Sequence, residues 1–401
     1  MQRRRLLQTL GLLPIAGGAG ALLAAPAASS KLLIVFLRGA YDCCNLLVPT
    51  ASNFYYESRP DIAIARPPAA GVGADPANPT AIALDANWGL HPALAGNLWP
   101  LYQKGELAFV PFAGTDDTSR SHFETQDGIE LGQPLDRRRD YRSGFLNRLA
   151  EVVNGAAPMA FTDQLPLSMQ GRAQVPNMAL RSVGQSALDA RQSRLIADMY
   201  EDTPLAAPVQ EGFAVRANVA RQLSAEMDAA GRGAVSARGF SAEAQRIGRL
   251  MAQGYNLGFV DVGGWDTHVN QGGAKGNLAT RLGNLGEGLA QLPAAMGPAW
   301  RDTTVVVISE FGRTFRQNGN RGTDHGHGTV YWVLGGGVRG GKVLGEQVVV
   351  DQAHLFQNRD LPVLNEYRAV LGGLFARQFG LRPAQLARVF DGVAPRDLGL
   401  V

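Results

Sequence analysis

The chain alternates between short, continuous apolar runs and longer stretches whose apolar residues recur every three or four positions. Lys31 to Leu37 (KLLIVFL), Leu107 to Phe112, Tyr255 to Val262, Thr303 to Ser309 (TTVVVIS) and Val330 to Leu334 are of the first kind. Their length and lack of alternation predict strands buried on both faces. Leu278, Leu282, Leu285, Leu289 and Leu292 advance by fours and threes, which puts them on one face of a helix. Ser241 caps a helix that runs to Gln253 with Gly254 as its stop, and Tyr367 to Phe379 forms another. A helix starts at His91-Pro92 and runs through Leu94, Leu98 and Leu101, and a further one begins at Phe123. Strands and helices in alternation predict an α/β fold: a doubly wound, mostly parallel sheet with helices on both faces. Residues 55–90, rich in Pro and Ala, read as a long loop. Residues 150–235 read as a largely helical insertion or cap, helical from about 184 to 229.

The N-terminus has a different pattern. Arg3-Arg4-Arg5 precedes a weakly apolar run from Leu10 to Leu23, and Ala25-Pro26-Ala27 supplies small residues for cleavage. This is the layout of an export signal resembling the twin-arginine type, with a run too short for a comfortable membrane span; an ordinary Sec signal or an uncleaved anchor is the alternative. It predicts removal of residues 1–28, passage through the twin-arginine translocase, a periplasmic or secreted product and no stable membrane anchor. The remaining residues 29–401 then form a single domain.

Charge changes the picture once that segment is set aside. The chain has 38 Lys and Arg against 35 Asp and Glu, and residues 1–28 hold three Arg and no acid. The rest is formally neutral, so no basic field argues for nucleic acid or anionic lipid. Arg137-Arg138-Arg139, flanked by Asp136 and Asp140, reads as a solvated loop. The two cysteines, Cys43 and Cys44, are adjacent. They exclude a disulfide framework and lack the Cys-x-x-Cys spacing of a redox motif, so a pair of buried thiols is expected.

The candidate chemistry gathers where predicted strands give way to loops. Asp42 follows the first strand; Gly114 to His122 follows the second; Gly263-Gly264-Trp265-Asp266-Thr267-His268 follows the third; Glu310-Phe311-Gly312-Arg313 follows the fourth; and Asp324-His325-Gly326-His327 precedes the fifth. In a parallel sheet such loops share one edge and converge on one site. Carboxylate and imidazole together suit a divalent metal. Each residue also has an ordinary role open to it. Asp42 suits a turn cap, Ser119 and Ser121 suit helix caps, and Glu310 suits a salt bridge to Arg313. His122 suits a ligand or a supporting group, and His91 and His354 read as structural.

Five segments, FLRGAYDCCNLLVP, SRSHFETQD, VDVGGWDTHVNQG, VVVISEFGRTFRQNG and GTDHGHG, resemble DUF1501, a bacterial family of exported proteins placed in the alkaline phosphatase and sulfatase superfamily. The resemblance spans essentially all of the chain after the signal. It implies an alkaline phosphatase-like fold and a metal-dependent hydrolase of phosphate or sulfate esters, on a small molecule or a glycan. By position it implies a metal, zinc, manganese, calcium or iron, held among Asp42, His122, Asp266, His268, Glu310, Asp324, His325 and His327. Ser119 or Ser121 becomes the nucleophile, and Arg120, Arg313 or Arg38 clamps the ester oxygens. A non-catalytic exported binding protein that retains the fold is the alternative. Phe311 stands where the superfamily often has an imidazole, and Cys43 where many family members have Gly.

Overall fold

The structure, a computed structural model, describes residues 30–69, 75, 77–180, 190–222 and 239–401. The predicted export signal and both ends of the 184–229 stretch lie outside the described residues. The strands are β1 (Lys31–Leu37), β2 (Leu47–Val48), β3 (Ile82–Ala83), β4 (Gly89–Leu90), β5 (Leu107–Gly114), β6 (Pro158–Ala160), β7 (Leu257–Val262), β8 (Thr303–Ser309), β9 (Thr329–Leu334), β10 (Lys342–Val343) and β11 (Asn365–Glu366). The main sheet runs β10-β5-β9-β8-β1-β7-β6, with β11 also paired to β5. Every pairing in it is parallel except the two made by β9, against β5 and β8.

The apolar runs are continuous because this sheet is covered on both faces. Along β1, Leu33, Val35 and Leu37 enter one core while Leu32, Ile34 and Phe36 enter the other. The first core is closed by α8 (Phe240–Gln253) and α9 (Asn277–Met296) through Ile247, Leu250 and the leucines of the predicted stripe. The second is closed by α5 (Phe145–Val152), α10 (Tyr367–Phe379) and α11 (Pro383–Val389), which supply Leu149, Phe375 and Leu386. Helices α8 and α9 approach closely at glycines: a Cβ on Gly288 would stand 2.3 Å from the Phe240 ring. The mixed, mostly parallel sheet with two helical layers is the expected α/β arrangement.

Several local expectations are corrected. The cap expected at Ser241 is instead Gly239, two residues earlier, and Ser241 lies inside the first turn of the helix. Strand β9 is antiparallel: residues 310–328 hold no helix to carry the chain across the sheet, so it turns back on β8. The 55–90 segment is not featureless. Ser52 caps α2 (Asn53–Ser58), and β2, β4 and β3 form a small antiparallel sheet. The 150–235 segment begins inside the main fold, since β6 pairs with β7 and only later come the helices Ala190–Met199 and Ala206–Gln222. The helix at His91 is a short 3-10 turn, Pro92–Leu94, followed by a separate helix at Leu98–Gln103. Among the described residues no helix is long and apolar enough to cross a membrane.

His91 is structural, as expected, and makes the fold sensitive to acid. It is fully buried; Nδ1 accepts from Ala93 N (3.0 Å) and Nε2 donates to the Gly273 carbonyl (3.1 Å). Burial lowers its pKa to about 4, despite the opposing pull of the Gly273 carbonyl and Asp42. The unfolded chain takes up this proton near pH 6.5 and the folded chain does not. Stability is therefore present above pH 6.5 and falls as the pH drops from 6.5 toward 4. The expected contribution lost between pH 7 and 4.5 is about 2–3 kcal/mol. Urea titrations at the two pH values should show a loss smaller by that amount in His91→Asn than in the unsubstituted protein; equal losses would refute it.

Candidate metal centre

The parallel direction of β1, β7 and β8 brings their C-terminal ends to one edge of the sheet. Strand β5 runs the same way, being antiparallel to β9 as β8 is, and β9 begins at that edge. Five loops thus meet there, as the sequence implied. Gly39 lets the loop after β1 pass beneath the one after β7: its φ is +113°, and a Cβ would stand 2.8 Å from the Asp266 amide nitrogen. Its own N–H donates to Glu310 Oε1 (2.7 Å).

Three imidazoles are oriented alike by different partners. Helix α4 (His122–Leu131) begins with His122, and its Nδ1 is 2.8 Å from Glu310 Oε1. His268 Nδ1 is 2.9 Å from Asp324 Oδ1, and His325 Nδ1 is 3.0 Å from the Arg120 carbonyl. Each Nδ1 faces an oxygen acceptor and carries the hydrogen, so in each neutral ring Nε2 keeps a lone pair. All three Nε2 atoms turn toward Asp266. His268 Nε2 is 2.8 Å and His325 Nε2 3.3 Å from Oδ1, while His122 Nε2 is 3.5 Å from Oδ2. His268 and His325 present their Nε2 atoms to each other at 3.2 Å. His122 Nε2 is buried and has no hydrogen-bond partner. The His122 ring is fixed by stacking on Phe311 (5.1 Å between centroids), so the residue standing in place of an expected imidazole supports one instead.

Lone pairs facing one another suit a cation between them. His122, Asp266 and His325 could hold a metal ion, their ligand atoms lying within 4.8 Å of one another. Ligands about 2.0–2.1 Å from zinc in a tetrahedron stand about 3.3 Å apart, and the separations of 2.8–3.5 Å from Asp266 to each Nε2 and between the Nε2 atoms of His268 and His325 bracket that spacing. The charges agree. Burial opposes ionisation of Asp266, but Arg313 and the neighbouring histidines hold its pKa below the usual range. Burial likewise opposes Glu310, and donation from His122, Gln126 and Gly39 outweighs it; for Asp324, the bonds from His268 and Asn318 do so. Three carboxylates against the one guanidinium of Arg313 leave two negative charges, which a divalent ion balances.

The oxygens behind the rings are outer supports in this arrangement. Glu310 is fully buried, with Oε1 accepting from Gly39, His122 and Gln126 and Oε2 from Ser309, so it has no free face for a metal and no bond to Arg313. The glutamate bond raises the His122 pKa, with burial opposing, and fixes which nitrogen is free. Partners of this kind tune metal affinity about 10–100-fold. Glu310→Gln is expected to weaken zinc binding by such a factor in competition with a chelator while zinc still binds; full affinity would show that His122 needs no such support.

Other residues named from the sequence are placed elsewhere. Asp42 is fully buried against Arg59 (2.5 Å) and Gln271 (2.6 Å) and caps the short helix Cys43–Leu46. Its oxygens are committed, which corrects its place among the ligands. Asp324 serves through His268. His327 stacks on Phe356 (4.6 Å) outside the cluster, and burial first of all lowers its pKa. The arginines expected to clamp ester oxygens are each paired with carboxylates: Arg313 with Asp266, Arg120 with Asp360, and Arg38 with Glu130 and Asp261. Ser121 caps α4 loosely, at 3.5 Å from Glu124 N, and Ser119 bonds Thr125 Oγ1 (3.3 Å). Cys43 and Cys44 are buried free thiols, and the Cys43 pKa is raised by its neighbour Cys44 and by burial. His354 pairs with Asp351 in an exposed turn.

The sequence profile of DUF1501, described as a protein of unknown function, matches residues 29–390. The chain belongs to the DUF1501 family. No curated protein matches this DUF1501 sequence. Among solved structures it is similar to the crystal structure of Ps i-CgsB in complex with k-i-k-neocarrahexaose, at 9% identity and a TM-score of 0.40, covering 89% of this chain and 73% of that one.

Some residues around the centre carried no sequence reading. Gln126 lies four positions after His122, and so on the same helical face, where it holds Glu310 (2.8 Å). That spacing was a usable signal. Asn318, which bonds both Asp324 and the His268 carbonyl, and Arg59 carried none.

Proposed function

We propose that this DUF1501 chain is an exported, divalent-metal-dependent hydrolase of a phosphate or sulfate ester, with an alkaline phosphatase-like fold. The observation that carries it is the grouping of Nε2 of His122 and His325 with the Asp266 carboxylate, joined by His268 Nε2 beside Asp266 and His325, each ring held from behind by an oxygen. His122, His268, His325 and Asp266 bind the ion. This set, rich in imidazole nitrogen, suits zinc, manganese or iron better than calcium, which takes oxygen ligands. When bound, such an ion lowers the pKa of a hydroxyl and neutralises ester oxygens. Glu310, Asp324 and the Arg120 carbonyl hold the rings in the ligating tautomer. Of the two serines, Ser121 has the freer hydroxyl, since Ser119 is tied to Thr125 and Ser121 N. Ser121 is therefore the preferred attacking group, beside His122.

The second reading, a metal-binding exported protein without turnover, draws on the arginines. All three guanidiniums available for an oxyanion are engaged by carboxylates. A panel of aryl phosphate, phosphodiester and aryl sulfate, assayed with metal-loaded protein, separates the two. Turnover of any member that is lost in Ser121→Ala supports the hydrolase with its serine. Stoichiometric metal with no turnover supports the binding protein. Export is tested separately: a host lacking the twin-arginine translocase should retain the precursor in the cytoplasm, and normal processing there would overturn that route.

A further inference from the structure

The third imidazole, His325, is held by a backbone carbonyl, and that carbonyl needs its own anchor. It belongs to Arg120, whose φ is +52°, a left-handed conformation that a residue with a side chain adopts reluctantly. A loop position of this kind favours glycine. The side chain that stands there instead is fixed at its far end: Arg120 Nε and Nη2 both donate to Asp360 Oδ2 (2.9 and 2.7 Å), and Nη2 also donates to Gln357 Oε1 (2.6 Å).

Asp360 is fully buried, and its backbone is tied to the same group of loops. It bridges Thr314, whose N–H donates to the Asp324 carbonyl (2.9 Å), while Arg313 bridges His325. The contacts therefore close a circuit: from the His325 ring to the Arg120 carbonyl, along the Arg120 side chain to Asp360, across to Thr314, and back through Arg313 to the His325 backbone. The Asp360 carboxylate pairs with Arg120 and Arg359 rather than with Asp266 or any of the three Nε2 atoms, so any effect it has on the cluster is indirect.

We infer that Arg120 and Asp360 are positioning residues of the metal centre: the ion pair holds the Arg120 carbonyl against His325 Nδ1 and so aims Nε2 at Asp266. This rests on the metal-centre reading above, and it assigns Arg120 a different task from clamping ester oxygens. The three roles open to Arg120 separate by substitution. If it were only a strained loop residue, Arg120→Gly would relieve the strain and leave the centre intact. If it were a charged clamp, Arg120→Lys would keep metal binding and retain part of the activity. As a strut it fails in both variants, because glycine has no side chain and lysine lacks the fork that spans Asp360 and Gln357.

The test uses the full chain with zinc as the probe. Arg120→Gly, Arg120→Lys and Asp360→Asn are expected to weaken zinc binding 10–100-fold in chelator competition, with the two Arg120 variants still folded without zinc because Arg359 remains beside Asp360 (3.3 Å). A second readout needs no metal. In 15N-histidine spectra of the zinc-free protein, with six histidines to resolve, His325 is expected in the Nδ1–H form and is expected to lose that preference in Arg120→Gly. Unchanged zinc affinity in Arg120→Gly, with an unchanged His325 tautomer, would overturn the strut and leave the metal centre standing. An unsubstituted protein that binds no zinc, manganese or iron would overturn the centre, and the tautomer comparison would then decide the strut alone.

Discussion

His325→Ala is expected to abolish zinc binding. The ring donates from Nδ1 to the Arg120 carbonyl and offers Nε2 to Asp266 and His268. Alanine removes a ligand and puts no donor atom in its place. The His122 ring, packed edge-on against His325 with centroids 4.2 Å apart, loses its neighbour as well. Affinity should fall by more than the 10–100-fold typical of a lost outer support. The stability consequence follows from linkage: a ligand at 100 times its Kd stabilises the folded chain by about 2.7 kcal/mol. Added zinc should therefore raise the Tm of the unsubstituted protein and leave that of His325→Ala unmoved. His327→Ala is the control, since that ring lies outside the cluster. A zinc response lost in His327→Ala and kept in His325→Ala would reverse the assignment of the two histidines.

The second large effect is on the fold itself. Arg59 and Asp42 form an ion pair with neither side chain exposed, and Arg59 also donates to the carbonyls of Phe315 (2.6 Å) and Thr314 (3.1 Å) and to Asn45. Taking one charge away leaves the other buried without a counter-charge, which costs about 3–5 kcal/mol. Asp42→Asn and Arg59→Met should each lose stability of that order in urea titrations. The double variant should lose less than the sum, because no lone charge then remains. Asp42→Asn also decides between two roles for this residue. As a structural partner of Arg59 it should keep zinc affinity within a few-fold, whereas loss of zinc from a still-folded variant would return Asp42 to the ligands.

How much of this was legible in sequence depends on how local the signal is. The strands β1, β5, β7, β8 and β9 and the stripe of α9 were readable because burial on two faces or on one helical face leaves a periodic trace. The direction of β9 was not, since it depends on residues 310–328 lacking a helix rather than on the strand's own residues. The site loops stood out because Gly, His and Asp cluster where strands end. The division of labour inside them did not. Asp42 resembles a ligand until Arg59, from a segment without periodicity, is placed against it. His325 and His327 are separated by one glycine, and only the backbone bonds joining Gly312 to Gly326 and His327 settle where each ring goes. Arg120 resembles a clamp because its partner Asp360 lies 240 residues away.

The central claim is that three imidazoles and Asp266 share one ion. Anomalous diffraction at the metal edge, from crystals of protein purified from its own host or soaked with zinc, tests this most directly. The expected result is one strong peak within bonding distance of Nε2 of His122, His268 and His325 and of the Asp266 carboxylate. A peak at Asp42 or His327 instead, or no peak at this sheet edge after soaking, would contradict it.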